Sequence, residues 1–255
     1  MFEFLDGDKN TKTDFFLNSE VDLELLHEFE IFGETPRCNE IIALRQHILV
    51  GVSPFNPKFS VSYIASLIQW AFRHFTTVDV LLPCEENAAR LIEATGSTPK
   101  KAQKKTKREI QRHLRTLDFL AEQCSGAGRK FRVIQFSDFA TNEFYKKSKA
   151  EVITAFNDCS EFRFSCMEMS RKAICGRLRG VGGDIQDISE KRIFTALPYI
   201  FAEIPFYINT PLLLGVSHSV LAYHRPWFIG TGLFAGHFPL RVHKNQAYGI
   251  VTAKS

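Results

Sequence analysis

The chain has 255 residues and a formal net charge of +4; 45% of its residues are hydrophobic and 24% are charged. This composition excludes a disordered or fibrous chain and is typical of a globular protein with one sizeable core. We expect a single domain over residues 1–255, with no signal peptide at the acidic start and no membrane span in the apolar stretch 197–216, which contains Glu203 and three prolines.

The apolar periodicity and the breakers between periodic segments predict strands that alternate with helices. The expected strands lie near 47–52, 77–82, 130–136 and 219–223, and the strand at 219–223 is expected to be the last. The expected helices lie near 61–75, 85–95, 100–124, 139–158 and 160–178, and a further long helical region ends near 208. Strands separated by helices pair in parallel. The sequence therefore predicts an α/β fold, a Rossmann-like three-layer sandwich with a mostly parallel central sheet.

The first predicted strand leads into a serine. In the segment HILVGVSPFN, residues 47–56, a buried strand brings Ser53 to the carboxyl end of the sheet, where the sites of open α/β proteins lie. Gly51 lets a substrate approach the backbone closely, so Ser53 is a candidate nucleophile. The alternative is a serine that only caps the next helix. The segment also begins like the G-x-S-x-G turn of serine hydrolases, but Phe55 stands where the second glycine is required.

The spacing of cysteines and histidines indicates no metal centre. The six cysteines form no C-x-x-C pair and the eight histidines form no H-E-x-x-H pattern, so we expect reduced thiols and a reaction without metal. The glycine-rich segment 180–184 lacks both phosphate-loop patterns, and we interpret it as a hinge or turn between helices.

The predicted helix at 100–124 carries most of the positive charge. Residues 100–115 include eight lysines or arginines and one acid, a local net charge of +7 that leaves −3 for the rest of the chain. At 100° per residue, six basic side chains share one face, opposite Ile110, Leu114 and Leu117. This basic stripe consists of Lys101, Lys104, Lys105, Arg108, Arg112 and Arg115. The stripe can bind the phosphates of RNA. One alternative is that it is only a solvated helix face, and a more distant one is that it binds an anionic lipid surface.

Three separated segments resemble the cyclodipeptide synthase family, which is similar to the catalytic domain of class I tyrosyl- and tryptophanyl-tRNA synthetases. The segments are His47-x-x-x-Gly51-x-Ser53-x-x-Asn56, Tyr199-x-x-x-Glu203-x-Pro205-Phe206 and Tyr223-His224-Arg225-Pro226. Their order and spacing match the family from about residue 45 to 230, and the basic helix falls where the family binds tRNA. Asn56 with Tyr223 and His224 resembles one subfamily.

The resemblance implies an enzyme that makes a cyclic dipeptide from two aminoacyl-tRNAs. It further implies a cytoplasmic monomer that needs no cofactor, ATP or metal and has no DNA or membrane partner. Aminoacyl-tRNA is already an activated ester, so the enzyme needs only a nucleophile, positioning and proton transfer. Ser53 is expected to accept the first aminoacyl group. A second aminoacyl-tRNA is expected to supply its amine to that ester, giving a dipeptidyl-enzyme that cyclises to a 2,5-diketopiperazine.

The resemblance also assigns roles to the other residues. Tyr199 and Glu203 are spaced i,i+4 and share a helix face, where the carboxylate can hold the α-ammonium of the acyl group. Tyr223 ends a strand and can orient the acyl group through its hydroxyl. Gly51, Asn56 and His224 are expected to contact substrate or fix the loop. His224 is not assigned as the general base, because a tRNA ribose hydroxyl can itself carry the proton.

Two other functions stay open at this point. One is a non-enzymatic tRNA-binding protein that kept a synthetase-like fold, and the other is a serine hydrolase or acyltransferase of a different kind. The sequence does not indicate which two amino acids are joined.

Overall fold

The computed structural model describes residues 28–254 except 127, 129, 130, 181, 183, 184, 186 and 187. The interpretation of 180–184 as a hinge therefore falls mostly outside the described residues. The strands are β1 (Phe29–Gly33), β2 (His47–Gly51), β3 (Thr77–Leu82), β4 (Phe131–Gln135), β5 (Ser219–Tyr223) and β6 (Gln246–Ala253). The helices are α1 (Pro36–Ala43), α2 (Val61–His74), α3 (Glu85–Glu93), α4 (Pro99–Gly126), α5 (Glu143–Asp158), α6 (Ser160–Arg179), α7 (Glu190–Leu214) and α8 (Phe228–Phe234).

The strands form one sheet in the order β1-β6-β5-β2-β3-β4. All neighbours pair in parallel except β1, which runs antiparallel to β6 at the edge. Alternate residues of β2 face opposite sides: Ile48 and Val50 pack with α1, α2 and α4, whereas Leu49 packs with α5 to α8. Helices thus cover both faces of the sheet, which confirms the predicted three-layer sandwich and the mostly parallel sheet.

The prediction that 219–223 is the last strand is wrong. β6 follows it and lies between β5 and β1, where it hydrogen-bonds to both strands. The connection from β5 to β6 contains only the short helix α8, which has seven residues and includes Gly230 and Gly232. Seven residues are too few to produce a helical periodicity, so the predicted alternation of helix and strand ends too early.

α7 holds the apolar stretch that could have suggested a membrane span. It contains Pro198, Pro205 and Pro211 and departs from helical geometry at Asn209, next to the predicted end at 208. Beyond the break, the amide N–H of Thr210 donates to the side-chain oxygen of Gln246 at 2.9 Å, and the helix resumes. Most of the stretch is buried in the core. Within the described ranges, no helix is both long and apolar enough to cross a membrane.

A chain of polar side chains, three of them buried and the last one exposed, crosses four strands near their amino ends. The Ser219 hydroxyl lies 2.8 Å from Nδ1 of His47, and Nε2 of His47 lies 3.1 Å from Oδ2 of Asp79. Asp79 also accepts from Arg132 Nε at 3.0 Å. Burial alone would raise the pKa of Asp79, but hydrogen bonds from His47 and Arg132 outweigh it and lower that pKa. We call Ser219, His47, Asp79 and Arg132 the strand lock.

The strand lock contains a serine, a histidine and an aspartate in hydrogen-bonded order. However, Ser219 is 0% exposed, and the set lies at the sheet edge opposite Ser53, because His47 begins the strand that precedes Ser53. A nucleophile must reach its substrate. The lock is therefore a structural element.

Candidate active site

The predicted catalytic residues meet in one pocket at the carboxyl edge of the sheet. Ser53 follows β2 and Tyr223 ends β5, while Tyr199 and Glu203 come from α7. The pocket is lined by Val52, Ser53, Leu81, Pro83, Phe136, Tyr199, Glu203 and Tyr223. The four residues that the sequence motifs singled out for catalysis are all among them.

The hydroxyl of Ser53 lines this pocket without a hydrogen bond to any described residue. The Ser53 side chain is partly exposed. The backbone around it is fixed: the Val52 N–H donates to the carbonyl of Leu81 at 3.0 Å, and the Asn56 N–H donates to the Ser53 carbonyl at 3.1 Å. Ser53 is therefore a candidate nucleophile with a fixed backbone and an available hydroxyl.

Glu203 and Tyr223 form a buried pair across the pocket from two different elements. The Tyr223 hydroxyl donates to Oε1 of Glu203, whose side chain is only 6% exposed. Burial raises the pKa of Glu203 to about 7, and the hydrogen bond from Tyr223 opposes part of that rise. A carboxyl with this pKa exchanges protons near neutral pH, as a general acid or base requires.

Tyr199 lies one helical turn before Glu203 and contacts the ring of Phe136 edge-on, with centroids 6.0 Å apart. Burial raises the pKa of Tyr199 and also that of Tyr223. Both phenols therefore stay protonated at neutral pH; Tyr199 can donate a hydrogen bond into the pocket, whereas the single O–H of Tyr223 is already donated to Glu203.

Gly51 is packed directly against the ring of Tyr223. A Cβ at position 51 would lie 2.7 Å from Cζ of that ring and 3.0 Å from its hydroxyl. A side chain at this position must displace Tyr223. The structure thus places Gly51 under a pocket residue, and the glycine is needed for this close approach.

Asn56 and His224 contact each other beside the pocket. Nδ2 of Asn56 lies 3.0 Å from Nε2 of His224, whose ring meets Phe59 edge-on. Burial, with smaller effects of Arg225 and Lys58, lowers the pKa of His224 to about 4. A histidine that is already hydrogen-bonded and weakly basic is a poor general base, in agreement with the sequence analysis.

The basic stripe occupies the exposed face of α4. All six of its residues are exposed, while Ala102, Thr106, Ile110 and Leu117 are buried on the opposite face, as the helical periodicity predicts. Glu109 binds Arg112 at 3.0 Å and Arg108 at 3.4 Å. The lysines and Arg115 form no ion pair with a described residue. Glu109 therefore compensates only part of the positive charge.

Sequence reasoning missed the apolar walls of the pocket. Val52 follows β2, Leu81 and Pro83 lie at the end of β3, and Phe136 follows β4. Each stands at the carboxyl end of a predicted parallel strand, so the rule that located Ser53 also points to them. Across the described residues, no group of three or more histidine, cysteine, aspartate or glutamate side chains could hold a metal ion.

Comparison with known proteins identifies the family of the chain. The family model described as cyclodipeptide synthase matches residues 29–253. A cyclo(L-leucyl-L-leucyl) synthase of Photorhabdus laumondii is 52% identical over 232 residues, which cover 89% of this chain and 99% of the relative. A protein of Bacillus subtilis with the same name is 42% identical and covers 85% of this chain and 86% of the relative.

Solved structures show the same fold. A cyclodipeptide synthase from Bacillus thermoamylovorans superposes with a TM-score of 0.84 at 36% identity, covering 89% of this chain and 97% of that chain. A Mycobacterium tuberculosis protein, described as showing that cyclodipeptide synthetases are related to type I tRNA synthetases, gives a TM-score of 0.78 at 27% identity, covering 90% and 95%. The fold, the family match and the relatives agree, and the chain belongs to the cyclodipeptide synthase family of tRNA-dependent aminoacyltransferases.

Proposed function

We propose that this chain makes cyclo(L-leucyl-L-leucyl) from two leucyl-tRNAs, with Ser53 as the covalent nucleophile. The observation that carries the proposal is the pocket, in which the free Ser53 hydroxyl faces the buried Glu203 and Tyr223 pair. The walls made by Val52, Leu81 and Phe136 are apolar, as a leucyl side chain requires. Both relatives described above carry the leucyl-leucyl name.

In the first step the Ser53 hydroxyl attacks the ester carbonyl of leucyl-tRNA. A bond forms between Oγ and the acyl carbon, and the bond to the ribose oxygen breaks. The proton of Ser53 leaves with that oxygen, directly or through the neighbouring ribose hydroxyl. The neutral phenol of Tyr199 orients the acyl group by donating a hydrogen bond, while Tyr223 keeps its O–H on Glu203 and presents its phenol oxygen as an acceptor.

The second step expected from the resemblance, attack by the amine of the second aminoacyl-tRNA on the Ser53 ester, does not give a dipeptidyl-enzyme and is corrected by following the atoms. If the amine of the second leucyl-tRNA attacked the Ser53 ester, the dipeptide would end on the tRNA. A dipeptidyl-enzyme requires that the amine of the leucyl-Ser53 ester attack the second leucyl-tRNA. In the last step the free amine of the dipeptide attacks the Ser53 ester, closes the ring and regenerates the hydroxyl.

Glu203 has the environment to hold and deprotonate the attacking amine. The amine reacts only in its neutral form, so an acceptor for the ammonium proton is needed before amide formation. With a pKa of about 7, the Glu203 carboxyl can take that proton near neutral pH. Its hydrogen bond from Tyr223 keeps the accepting oxygen fixed.

We assign the chain to the subfamily that has asparagine, tyrosine and histidine at the positions of Asn56, Tyr223 and His224. The direct contact between Asn56 and His224 supports this assignment, because it joins the serine loop to the end of β5 beside Tyr223. Their role in this proposal is to fix the loop and border the substrate.

The basic stripe is the proposed tRNA site, and one chain is the proposed catalytic unit. The four residues proposed for catalysis already meet within one chain, which supports a monomer with one catalytic domain. Phosphate contacts are shared by all tRNAs, which leaves the choice of leucine to the pocket and not to the stripe. The cytoplasm, where charged tRNAs are made, is the proposed compartment, with no DNA or membrane partner.

The test is to incubate the purified protein, without ATP, with tRNA charged with leucine alone or with a full set of amino acids. Mass spectrometry then identifies cyclic dipeptides, with Ser53→Ala as the control. We expect cyclo(Leu-Leu) as the main product of the wild type and none from Ser53→Ala. A different main product would contradict the leucine assignment, and an equal yield from Ser53→Ala would contradict the nucleophile. Efficient turnover of a p-nitrophenyl ester would favour the hydrolase alternative.

A further inference from the structure

The loop that follows Ser53 is attached to three separate elements. Nε2 of His113, on α4, lies 3.0 Å from the carbonyl oxygen of Pro54. The Phe55 ring lies 5.4 Å from the guanidinium carbon of Arg177 on α6, and Asn56 bonds to His224 after β5. Of these contacts, the one from His113 is nearest in sequence to Ser53.

The hydrogen bond from His113 restrains ψ of Pro54, the one backbone angle that the proline ring leaves free. The pyrrolidine ring fixes φ of a proline near −65°, and the direction of its carbonyl then depends on ψ. A hydrogen bond to that carbonyl holds ψ. Both dihedral angles of the residue directly after Ser53 are therefore determined, which limits how the Ser53 peptide can move.

His113 is itself held in place by burial. It is 2% exposed and lies on the buried face of α4 with Ile110 and Leu117, opposite the basic stripe. Burial lowers the pKa of His113, so the ring is neutral and carries a single N–H. Nε2 also lies 3.5 Å from Nη2 of Arg112, but the Pro54 carbonyl is closer at 3.0 Å and can only accept, so that N–H is on Nε2. Removing the donor leaves a buried carbonyl without a partner.

We propose that His113 is a positioning residue that holds Ser53 in its attacking geometry through the carbonyl of Pro54. It also connects the nucleophile to the tRNA-binding helix, since the stripe residue Arg112 is its neighbour in sequence. This inference rests on the proposed role of Ser53 as the nucleophile.

Two polar substitutions that differ in length test the proposal. His113→Gln places an amide nitrogen about as far along the side chain as Nε2, whereas His113→Asn carries the same amide but is too short to reach Pro54. With leucyl-tRNA as the probe, single-turnover quenching and intact-protein mass spectrometry give the rate of Ser53 acylation. Filter binding with uncharged tRNA gives affinity separately, and thermal melting reports folding.

We expect His113→Asn to lower the acylation rate at saturating leucyl-tRNA about tenfold or more. The dissociation constant for uncharged tRNA should stay within about twofold, because phosphate contacts on the other face of α4 are unchanged. His113→Gln should recover most of the rate. A purely structural role would not separate rate from affinity, nor would it respond to one methylene of length.

The control variant is Leu117→Ala, which loosens the same buried face of α4 without contacting the serine loop. Equal rates for His113→Asn and wild type would overturn the proposal, as would a loss in Leu117→Ala as large as that in His113→Asn. A loss of equal size in His113→Gln and His113→Asn would also overturn it. If the wild type forms no Ser53 ester, both the proposed function and the role of His113 are wrong. If the wild type is acylated normally and His113→Asn is acylated at the same rate, only the role of His113 is wrong.

Discussion

The side-chain amide of Asn56 determines the tautomer of His224. Oδ1 of Asn56 accepts the backbone N–H of Lys58 at 3.1 Å, so Nδ2 is the nitrogen that faces His224, 3.0 Å from its Nε2. An amide nitrogen can only donate, and Nε2 must therefore accept. The proton of the neutral ring is on Nδ1, which is buried and has no partner among the described residues.

Replacing Asn56 by aspartate should reverse this arrangement. A carboxylate beside Nε2 favours the imidazolium, so the pKa of His224 should rise from about 4 to the value of a free imidazole or above, about 6.5. Proton NMR titration of the histidine Hε1 signals measures this, and His224→Gln assigns the signal. A wild-type His224 that titrates near 6.5 would contradict the buried neutral ring.

Gly51→Ala should reduce catalysis much more than stability. The new Cβ would lie 2.7 Å from the Tyr223 ring, so the ring must shift and its hydrogen bond to Glu203 is disturbed. A displacement of about 1 Å in a reacting constellation can cost about 100-fold in rate, whereas overpacking costs about 1–3 kcal/mol of stability. Cyclic dipeptide formation and urea unfolding measure the two effects.

Gly176→Ala is the matched control for Gly51→Ala. Gly176 lies in α6, and a Cβ at this position would have no neighbouring atom within 4 Å. Alanine should therefore stabilise the helix by about 0.5–1 kcal/mol and leave activity unchanged. If both variants behaved alike, close packing of Gly51 against Tyr223 would not matter for the reaction.

Glu203→Gln should stabilise the protein in a pH-dependent way. Burial raises the pKa of Glu203 to about 7 from 4.5, so the folded state keeps a proton that the unfolded state releases between these values. Wild-type stability then falls as pH rises from about 4.5 to 7. The stability gained by glutamine should grow over the same window and reach about 3 kcal/mol above pH 7.

Urea unfolding of both proteins between about pH 5 and 8 gives this difference directly. Glutamine keeps an oxygen that can accept from Tyr223, so the local packing is preserved. Glu151→Gln, on the exposed face of α5, is the control for the change of side chain. A stability difference that is constant over the pH range would argue against a raised pKa at Glu203.

Replacing Lys101, Lys105, Arg108 and Arg112 by alanine should weaken tRNA binding and reduce its dependence on salt. Each lost phosphate contact reduces the steepness of log affinity against log salt by about 0.7–0.9, so four lost contacts should reduce it by up to about 3.6. The loss should be similar for different tRNAs. Filter binding over salt concentrations from about 50 to about 300 mM measures both quantities.

A variant with four exposed lysines removed elsewhere controls for net charge. Lys146, Lys147, Lys191 and Lys254 lie outside α4 and are exposed. Their replacement by alanine removes as many positive charges but should change affinity less. Equal weakening by the two sets would mean that overall charge, and not the stripe, attracts the tRNA.

The parallel core of the fold was predictable because its strands are short, apolar and separated by periodic helices. β2, β3 and β5 agree with the prediction to within a residue at each end. β6 was missed because the connection before it is too short to show a period, and β1 was missed because it pairs only with β6, antiparallel at the sheet edge. Edge pairing depends on the partner strand, which a local pattern does not contain.

The candidate site was predictable where a residue belongs to a motif at a strand end or on a helix face. Ser53, Glu203 and Tyr223 are of this kind. His113 was not predictable, because its partner Pro54 is 59 positions away in the sequence and a helical period does not show which loop a buried side chain contacts. The strand lock was likewise hidden, since the hydrogen bonds that define it join four strands and exist only after the sheet has formed.

The strand lock has a consequence for how the site can diversify. β2 and β5 both begin at the strand lock and end at the pocket. Their pairing places Val50 beside Ala222, and the next residue of each strand is Gly51 or Tyr223. A slip of one residue would reverse every side chain in the strand and separate His47 from Ser219. The lock thus fixes the strand register that sets the distance between Ser53, the proposed nucleophile, and the Tyr223 phenol, and it does so at the sheet edge opposite the pocket. Substitutions in the pocket walls can then adapt the pocket to other aminoacyl groups without changing the distance between Ser53 and Tyr223.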